Sequence, residues 1–193
     1  PKDFNRLPHF FDCIVVDAPC SGSGLFRKDP DAVKEWSLQS VELCSQRQQR
    51  ILADVLNALK PGGILIYSTC SYSYEEDERI SDWICETGDF TGMPIQISQL
   101  PGIVETFSKH SKSPGYRFYP DRLKGEGFYL SVFQKKGDAA SRPHEKLKNK
   151  PVLASKTEQQ VLANYLQDTI PFDFLKWKED VLAIPNHLLQ AVL

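Results

Sequence analysis

Phe11-Asp-Cys-Ile-Val-Val-Asp17 runs directly into Ala18-Pro-Cys-Ser-Gly-Ser-Gly24. The consecutive β-branched residues Ile14, Val15 and Val16 suit a strand buried on both faces of a parallel sheet. Proline, serine and glycine then turn the backbone sharply. The reading is a strand that delivers a cysteine loop at its carboxyl end, where open α/β sheets keep their functional groups. Ile64-Leu-Ile-Tyr-Ser-Thr-Cys70 repeats the design and ends in Ser71-Tyr72. Between the two, Val41, Leu43, Cys44, Ile51, Leu52, Val55, Leu56 and Leu59 recur at helical spacing, which predicts a helix over Leu38–Leu59. Lys60-Pro-Gly-Gly63 is expected to stop it. Strand, helix, strand is an α/β pattern with a crossover connection.

Further along, an acidic helix is expected over Tyr74–Thr87. Ser73 would cap it, and Glu75, Glu76 and Asp77 would sit at its positive N-terminus. Gly127-Phe-Tyr-Leu-Ser-Val-Phe133 alternates and reads as a strand nearer the sheet edge. Residues 138–156 are charged and nearly free of large apolar side chains, so they read as a linker. Apolar residues return from Thr157 through Leu162, Tyr165, Leu166, Phe172, Trp177 and Ile184. The expected organisation is a domain over 1–137, a linker over 138–156 and the start of a small accessory unit over 157–193.

The chain of 193 residues is 41% hydrophobic and 25% charged, ordinary for a soluble globular protein. No apolar run approaches the roughly 18 residues that would span a bilayer. The opening Pro-Lys-Asp-Phe-Asn lacks the apolar segment of a leader. Five cysteines, odd in number and irregularly spaced, argue against a disulfide framework and for a reducing, cytoplasmic setting. The net charge of -2 does not announce a nucleic-acid binder, but it is unevenly spread. Glu75–Asp89 is acidic, whereas Glu105–Lys124 and Lys135–Lys156 are basic. Such runs are either solvated surface or a local phosphate-binding face.

If the two strands are neighbours, Asp17, Cys20 and Cys70 share one crevice. Three readings stay open for the cysteines. They could be buried structural residues. They could hold a metal, although no CxxC pair and no nearby histidine joins them. They could be a nucleophile and its helper. Cytosine gives that last reading a mechanism. Carbon 5 of the ring is too electron-poor to attack a methyl sulfonium. A thiolate added at carbon 6 makes carbon 5 an enamine-like nucleophile, and a carboxylic group at N3 eases the addition. A second cysteine could assist the final expulsion of the first. An ordinary thiol is only a few per cent ionised at pH 7, so the site must favour the thiolate.

At these residues the sequence resembles the Nol/Nop/Sun family of RNA cytosine-5 methyltransferases, of the bacterial ribosomal RNA type. Asp17-Ala-Pro-Cys-Ser-Gly-Ser-Gly24 and Ser68-Thr-Cys-Ser-Tyr72 match its two cysteine signatures. Lys60-Pro-Gly-Gly63 and Gly125-Glu-Gly-Phe-Tyr129 also fit. The resemblance runs from about Phe10 to Lys136. It implies the C-terminal half of a Rossmann-like, S-adenosylmethionine-dependent methyltransferase domain, with RNA or a ribosomal subunit as partner and no metal. By it Cys70 is the covalent nucleophile, and Cys20 helps resolve the covalent intermediate. Asp17 lies beside the cofactor's methyl end and the target base, and Pro19 shapes that loop. DNA enzymes of this chemistry take their nucleophile from the Cys20 position, so Cys70 argues for the RNA type. The tail from Thr157 resembles the start of an accessory RNA-binding region.

The family's glycine-rich loop and ribose-binding acid are not in this chain. The expectation is therefore a fragment starting mid catalytic domain, inactive alone. Arg27 and Lys28 are expected to meet phosphates beside a flipped cytosine, and Phe128 to border the base pocket. Phe26 and Trp36 could stack on bases. Arg117, Arg122 and Lys124 could line the RNA path. Two other functions remain open: a catalytically silent RNA-binding or ribosome-assembly factor, and a thiol redox or metal protein.

Overall fold

The computed structural model describes residues 1–137, 151–165, 171–186 and 189. The chain forms two compact units, Pro1–Ser141 and Arg142–Leu193. The first contains β1 (Phe11–Asp17), α1 (Pro30–Glu35), α2 (Leu38–Val55), β2 (Leu59–Thr69) and α3 (Glu78–Glu86). Four strands follow: β3 (Phe90–Gly92), β4 (Ile103–Phe107), β5 (Pro114–Phe118) and β6 (Phe128–Lys135). β1 and β2 are parallel, with Cys13 opposite Ile64 and Asp17 opposite Ser68. The α/β expectation holds. The sheet runs β1-β2-β6-β5-β4, and β3 pairs the far end of β6.

α2 starts where the Ser37 hydroxyl accepts from the Ser40 amide. Val41, Ser45, Gln48, Leu52 and Val55 form its buried stripe. The helix ends at Val55, not Leu59, and a short 3-10 turn (Leu56–Ala58) leads into β2. Leu59 is wholly buried, so it serves the sheet's core as the first residue of β2. The Lys60-Pro-Gly-Gly63 stretch is thus no helix stop. It bulges from β2, because pairing jumps from Phe11–Leu59 to Cys13–Ile64. Gly62 takes a φ of 76° there, which a side chain would disfavour.

Leu52 and Val55 of α2 and Ile80 and Ile84 of α3 cover one face of the sheet. They share a core with Val16, Leu65, Tyr67, Tyr129 and Phe133. Each such side chain contributes about 1.5–3 kcal/mol of burial. Both helices thus lie on one face. β1 is therefore not buried on both faces: Val16 is 8% exposed, but Val15 is 64% exposed. The same geometry corrects the placing of β6. It pairs with β2, β5 and β3 and lies inside the sheet, not near its edge. Its alternation arises because Tyr129, Ser131, Phe133 and Lys135 point to the covered face.

α3 is shorter than expected, and Ser73 does not cap it. Asp77 occupies the N-cap position without a side-chain cap bond. Glu76 and Asp77 are fully buried and bonded elsewhere, so their carboxylates do not serve the helix terminus.

The second unit contains β7 (Val152–Leu153), α4 (Lys156–Ala163), β8 (Phe172–Trp177) and β9 (Asp180–Pro185). Its strands form an antiparallel sheet in the order β7-β8-β9, with Leu175 fully buried. Ser155 and Glu158 make a reciprocal capping box on α4. β7 lies inside the stretch read as a linker, where Val152 and Leu153 are apolar. Residues 138–150 of that stretch, most of the basic run over Lys135–Lys156, and Leu166 lie outside the described residues. Among the described residues no helix is long and apolar enough to cross a membrane.

Candidate active site

The parallel register of β1 and β2 assembles the site. It sets Asp17 beside Ser68, whose hydroxyl donates to Asp17 Oδ1 at 2.9 Å. The Ala18 amide donates to Ser68 O at 2.9 Å, which carries the pairing one residue past β1. The loops then converge, and Cys20 Sγ lies 2.7 Å from Cys70 Sγ. A third loop joins them. The Gly24 amide donates to Cys70 O at 2.8 Å, and the Gly127 amide donates to Gly24 O at 2.9 Å. A Cβ on Gly24 would stand 2.3 Å from Gly127 O and 2.6 Å from Cys70 O, so only glycine permits this approach. The loops enclose an open cleft of about 1040 Å³. Asp17, Pro19, Cys20, Arg27, Cys70 and Phe128 are among its lining residues.

The two thiols are electrostatically unequal. The hydrogen bond from Cys20 holds the Cys70 thiol down at about 7, against burial and the nearby Asp17 and Glu76 carboxylates. Cys20 is pushed far up, first by its bond to Cys70 and then by burial. Near neutral pH, Cys70 is the partly ionised sulfur and Cys20 holds its proton. Since the thiolate is the reactive form, alkylation of Cys70 by iodoacetamide should speed up as pH rises through about 7. It should then level off. Below that midpoint it should slow tenfold per pH unit. Site-resolved mass spectrometry would measure the profile. A midpoint at the ordinary thiol value of about 8.5 would remove the activation.

The other expected residues divide. Arg27 stands at the cleft wall, but its guanidinium donates to Pro120 O at 2.9 Å and to Gly125 O. It braces the loop that carries Gly127 and Phe128. Lys28 pairs with Glu126 at 2.8 Å, and both are exposed. Such a pair contributes about 0–1 kcal/mol and exchanges readily. Phe128 lines the cleft and meets Phe118 edge-on, with centroids 5.8 Å apart. Phe26 and Trp36 pack edge to face at 6.3 Å, and the Trp36 indole donates to Ser21 Oγ at 3.2 Å. Arg122 and Lys124 are exposed. Arg117 does not line an RNA path. It is 6% exposed and held by Glu78 and Asp77. Among the described residues no group of three His, Cys, Asp or Glu side chains could hold a metal.

Sequence reasoning missed the support behind the cysteines. Glu76 is fully buried, with Ser21, Ser71 and Gln48 donating to its carboxylate. A signal was present. Ser45 and Gln48 fall on the apolar stripe of α2 and must point at something polar. Ser45 Oγ donates to Glu75 O at 2.8 Å, and Gln48 Nε2 to Pro19 O at 3.0 Å.

The chain is similar to known proteins over most of its length. A family model described as 16S rRNA methyltransferase RsmB/F matches residues 2–134. The ribosomal RNA small subunit methyltransferase F of Aliivibrio fischeri (strain MJ11) is 32% identical over 191 residues. That match covers 94% of this chain and 40% of the relative. The protein of the same name from Vibrio cholerae serotype O1 (strain M66-2) is 36% identical over 130 residues, 67% of this chain and 27% of the relative. The crystal structure of PH0851 aligns with a TM-score of 0.58 at 26% identity, over 66% of this chain and 27% of that one. The chain therefore spans about 40% of the length of the first of these relatives.

Proposed function

The chain belongs to the 16S rRNA methyltransferase RsmB/F family, and on that premise we propose that its cleft methylates carbon 5 of a cytosine in ribosomal RNA through a covalent Cys70 adduct. One observation carries the reading. Two unequal thiols stand 2.7 Å apart where two parallel strands end, and both open on the cleft.

Cys70, the sulfur held near 7, adds to carbon 6 of the ring. Electron density moves toward N3, which takes up a proton from water, and the Asp17 carboxylate at the end of β1 can accept a hydrogen bond from it. Carbon 5 is thereby made nucleophilic. The exposed Asp17 carboxylate and the adjoining Pro19 suit a cationic methyl donor, and they would face its reactive end. When bound there, S-adenosylmethionine would supply the methyl as an electrophilic sulfonium. Loss of the carbon 5 proton then restores the double bond as Cys70 leaves. The Cys20 S–H, within hydrogen-bond distance of Cys70 Sγ, stabilises the departing thiolate. Lys28 exchanges Glu126 for an RNA phosphate at the cleft mouth, Arg27 keeps the adjoining loop in place, and Phe128 borders the base.

The test uses the full-length protein and RNA containing 5-fluorocytosine, whose fluorine cannot leave as a proton does. A stable protein–RNA adduct should form. On ordinary RNA, Cys20→Ala should accumulate adduct, because release loses its donor. RNA binding without any adduct would sink this reading and favour a silent assembly factor.

A further inference from the structure

The carboxylate of Glu76 holds the residues that directly follow both cysteines. Its Oε1 accepts from the Ser21 amide at 2.8 Å, and its Oε2 accepts from Ser21 Oγ at 2.5 Å. The same Oε2 accepts from Ser71 Oγ at 2.6 Å. Ser21 follows Cys20, and Ser71 follows Cys70. Gln48 Nε2 completes the set, donating at 3.2 Å to Glu76 Oε1 and at 3.0 Å to the Pro19 carbonyl. The backbone of Glu76 is fixed too, since the Tyr67 hydroxyl donates to its carbonyl at 2.7 Å. The side chain is fully buried. Burying a carboxylate costs several kcal/mol unless donors replace its water, and here they come from both cysteine loops and α2.

That arrangement goes beyond packing. A cap or surface acid would need one loop. Glu76 takes donors from residues fifty apart in sequence (Ser21 and Ser71) and binds them through one group. We propose that Glu76 is the positioning residue that sets the Cys20–Cys70 sulfur separation, acting through Ser21 and Ser71. This deepens the proposed function and rests on it for its kinetic consequence. Addition at carbon 6 needs only the Cys70 thiolate, which at about pH 9.5, above the ordinary thiol value of about 8.5, forms without help from Cys20. Release needs both sulfurs. As the Cys70 Sγ–carbon 6 bond breaks, its electron pair returns to sulfur, where the Cys20 S–H must already be in place. The carbon 5 proton departs to water, and its bonding pair becomes the ring double bond. A drift of the two loops therefore slows release more than addition.

Glu76→Gln keeps the shape but turns one acceptor into a donor that faces donors. Ser71→Ala removes one donor to Glu76, together with the bond that Ser71 Oγ accepts from the Ser73 amide at 3.0 Å, and is the milder companion because Ser21 and Gln48 still hold the carboxylate. Two readouts apply to the full-length protein. The first is chemical and independent of RNA: the equilibrium in which oxidised glutathione converts the Cys20–Cys70 dithiol to a disulfide and yields two reduced glutathiones. Linked peptides quantify it. Both variants should lower this effective thiol concentration, Glu76→Gln by tenfold or more. The second is kinetic and run at about pH 9.5, where Cys70 ionises unaided: adduct formation should stay within about threefold of wild type, while release slows by tenfold or more and adduct accumulates. A general loss of structure would lower both rates together. An effective concentration within threefold of wild type in both variants overturns the proposal. So does equal slowing of addition and release in folded protein. Cys20→Ala run alongside separates the two ideas. If it fails to accumulate adduct while Glu76→Gln lowers the thiol concentration, the role of Cys20 in release falls and the placement by Glu76 stands.

Discussion

Replacing Cys70 by serine should lower RNA methylation by about 10⁴-fold or more, the scale on which losing a nucleophile acts in other covalent enzymes. A serine hydroxyl stays protonated at neutral pH, whereas Cys70 is held near 7 by its neighbour. The variant should fold, because Cys70 is only partly buried and serine is nearly isosteric. It should also fail to trap 5-fluorocytosine RNA. Cys20→Ser should behave oppositely and retain adduct formation. The contrast matters because either sulfur of so close a pair could be the nucleophile on distance alone. The sharing of one proton, with Cys20 the more buried sulfur, breaks that symmetry. It lowers Cys70 and raises Cys20, which favours Cys70 as the thiolate at neutral pH. Methylation above a tenth of wild type in Cys70→Ser, together with loss of trapping in Cys20→Ser, would move the nucleophile to Cys20.

The crevice itself was legible because its determinants are local. Two short β-branched or aliphatic runs, each followed by a polar cysteine turn, pair in parallel as the connecting helix requires. Parallel strands bring their carboxyl ends together, so Asp17, Cys20 and Cys70 meet without any longer-range information. What stayed hidden depends on partners distant in sequence. Glu76 reads as one of four consecutive acids, Glu75 to Glu78, that suit a helix start. Its burial becomes visible only once Ser21, Gln48 and Ser71 are known to surround it. Leu59 fits the helical period as well as it fits a strand. The sheet claims it because its side chain is then wholly buried, at the cost of a bulge over Lys60–Gly63. Val15 misleads for another reason. Its β-branching reports strand propensity, not whether both faces are covered.

Arg117 shows the same limit, and its loss should be the most damaging single change to the fold. A basic residue between Lys112 and Arg122 reads as surface. Instead its Nε and Nη2 grip both oxygens of Glu78, with Nε to Oε1 at 2.8 Å and Nη2 to Oε2 at 2.5 Å. Nη1 donates to Tyr72 O at 3.1 Å, in the loop that follows Cys70. Asp77 Oδ2 lies 3.0 Å from Nη2, an ion pair without hydrogen-bond geometry. Burial pushes the Asp77 carboxyl well above its usual range, even though Arg117 and the Thr69 hydroxyl oppose the shift. The guanidinium also lies 5.4 Å from the centre of the Tyr129 ring. One side chain thus joins β5, β6, the start of α3 and the cysteine loop. Arg117→Met would leave Glu78 buried without its cation. The expected loss is about 3–5 kcal/mol, a fall in Tm of roughly 10 °C or more by calorimetry. Neutralising the stranded acid as well should reverse part of that loss. In Arg117→Met with Glu78→Gln, the glutamine still accepts from the Thr106 hydroxyl that now donates to Glu78 Oε1 at 2.8 Å. The double variant should therefore be more stable than Arg117→Met alone. A single-variant loss below about 1 kcal/mol, or a double variant less stable than the single, would mean that the buried charges are not what Arg117 holds.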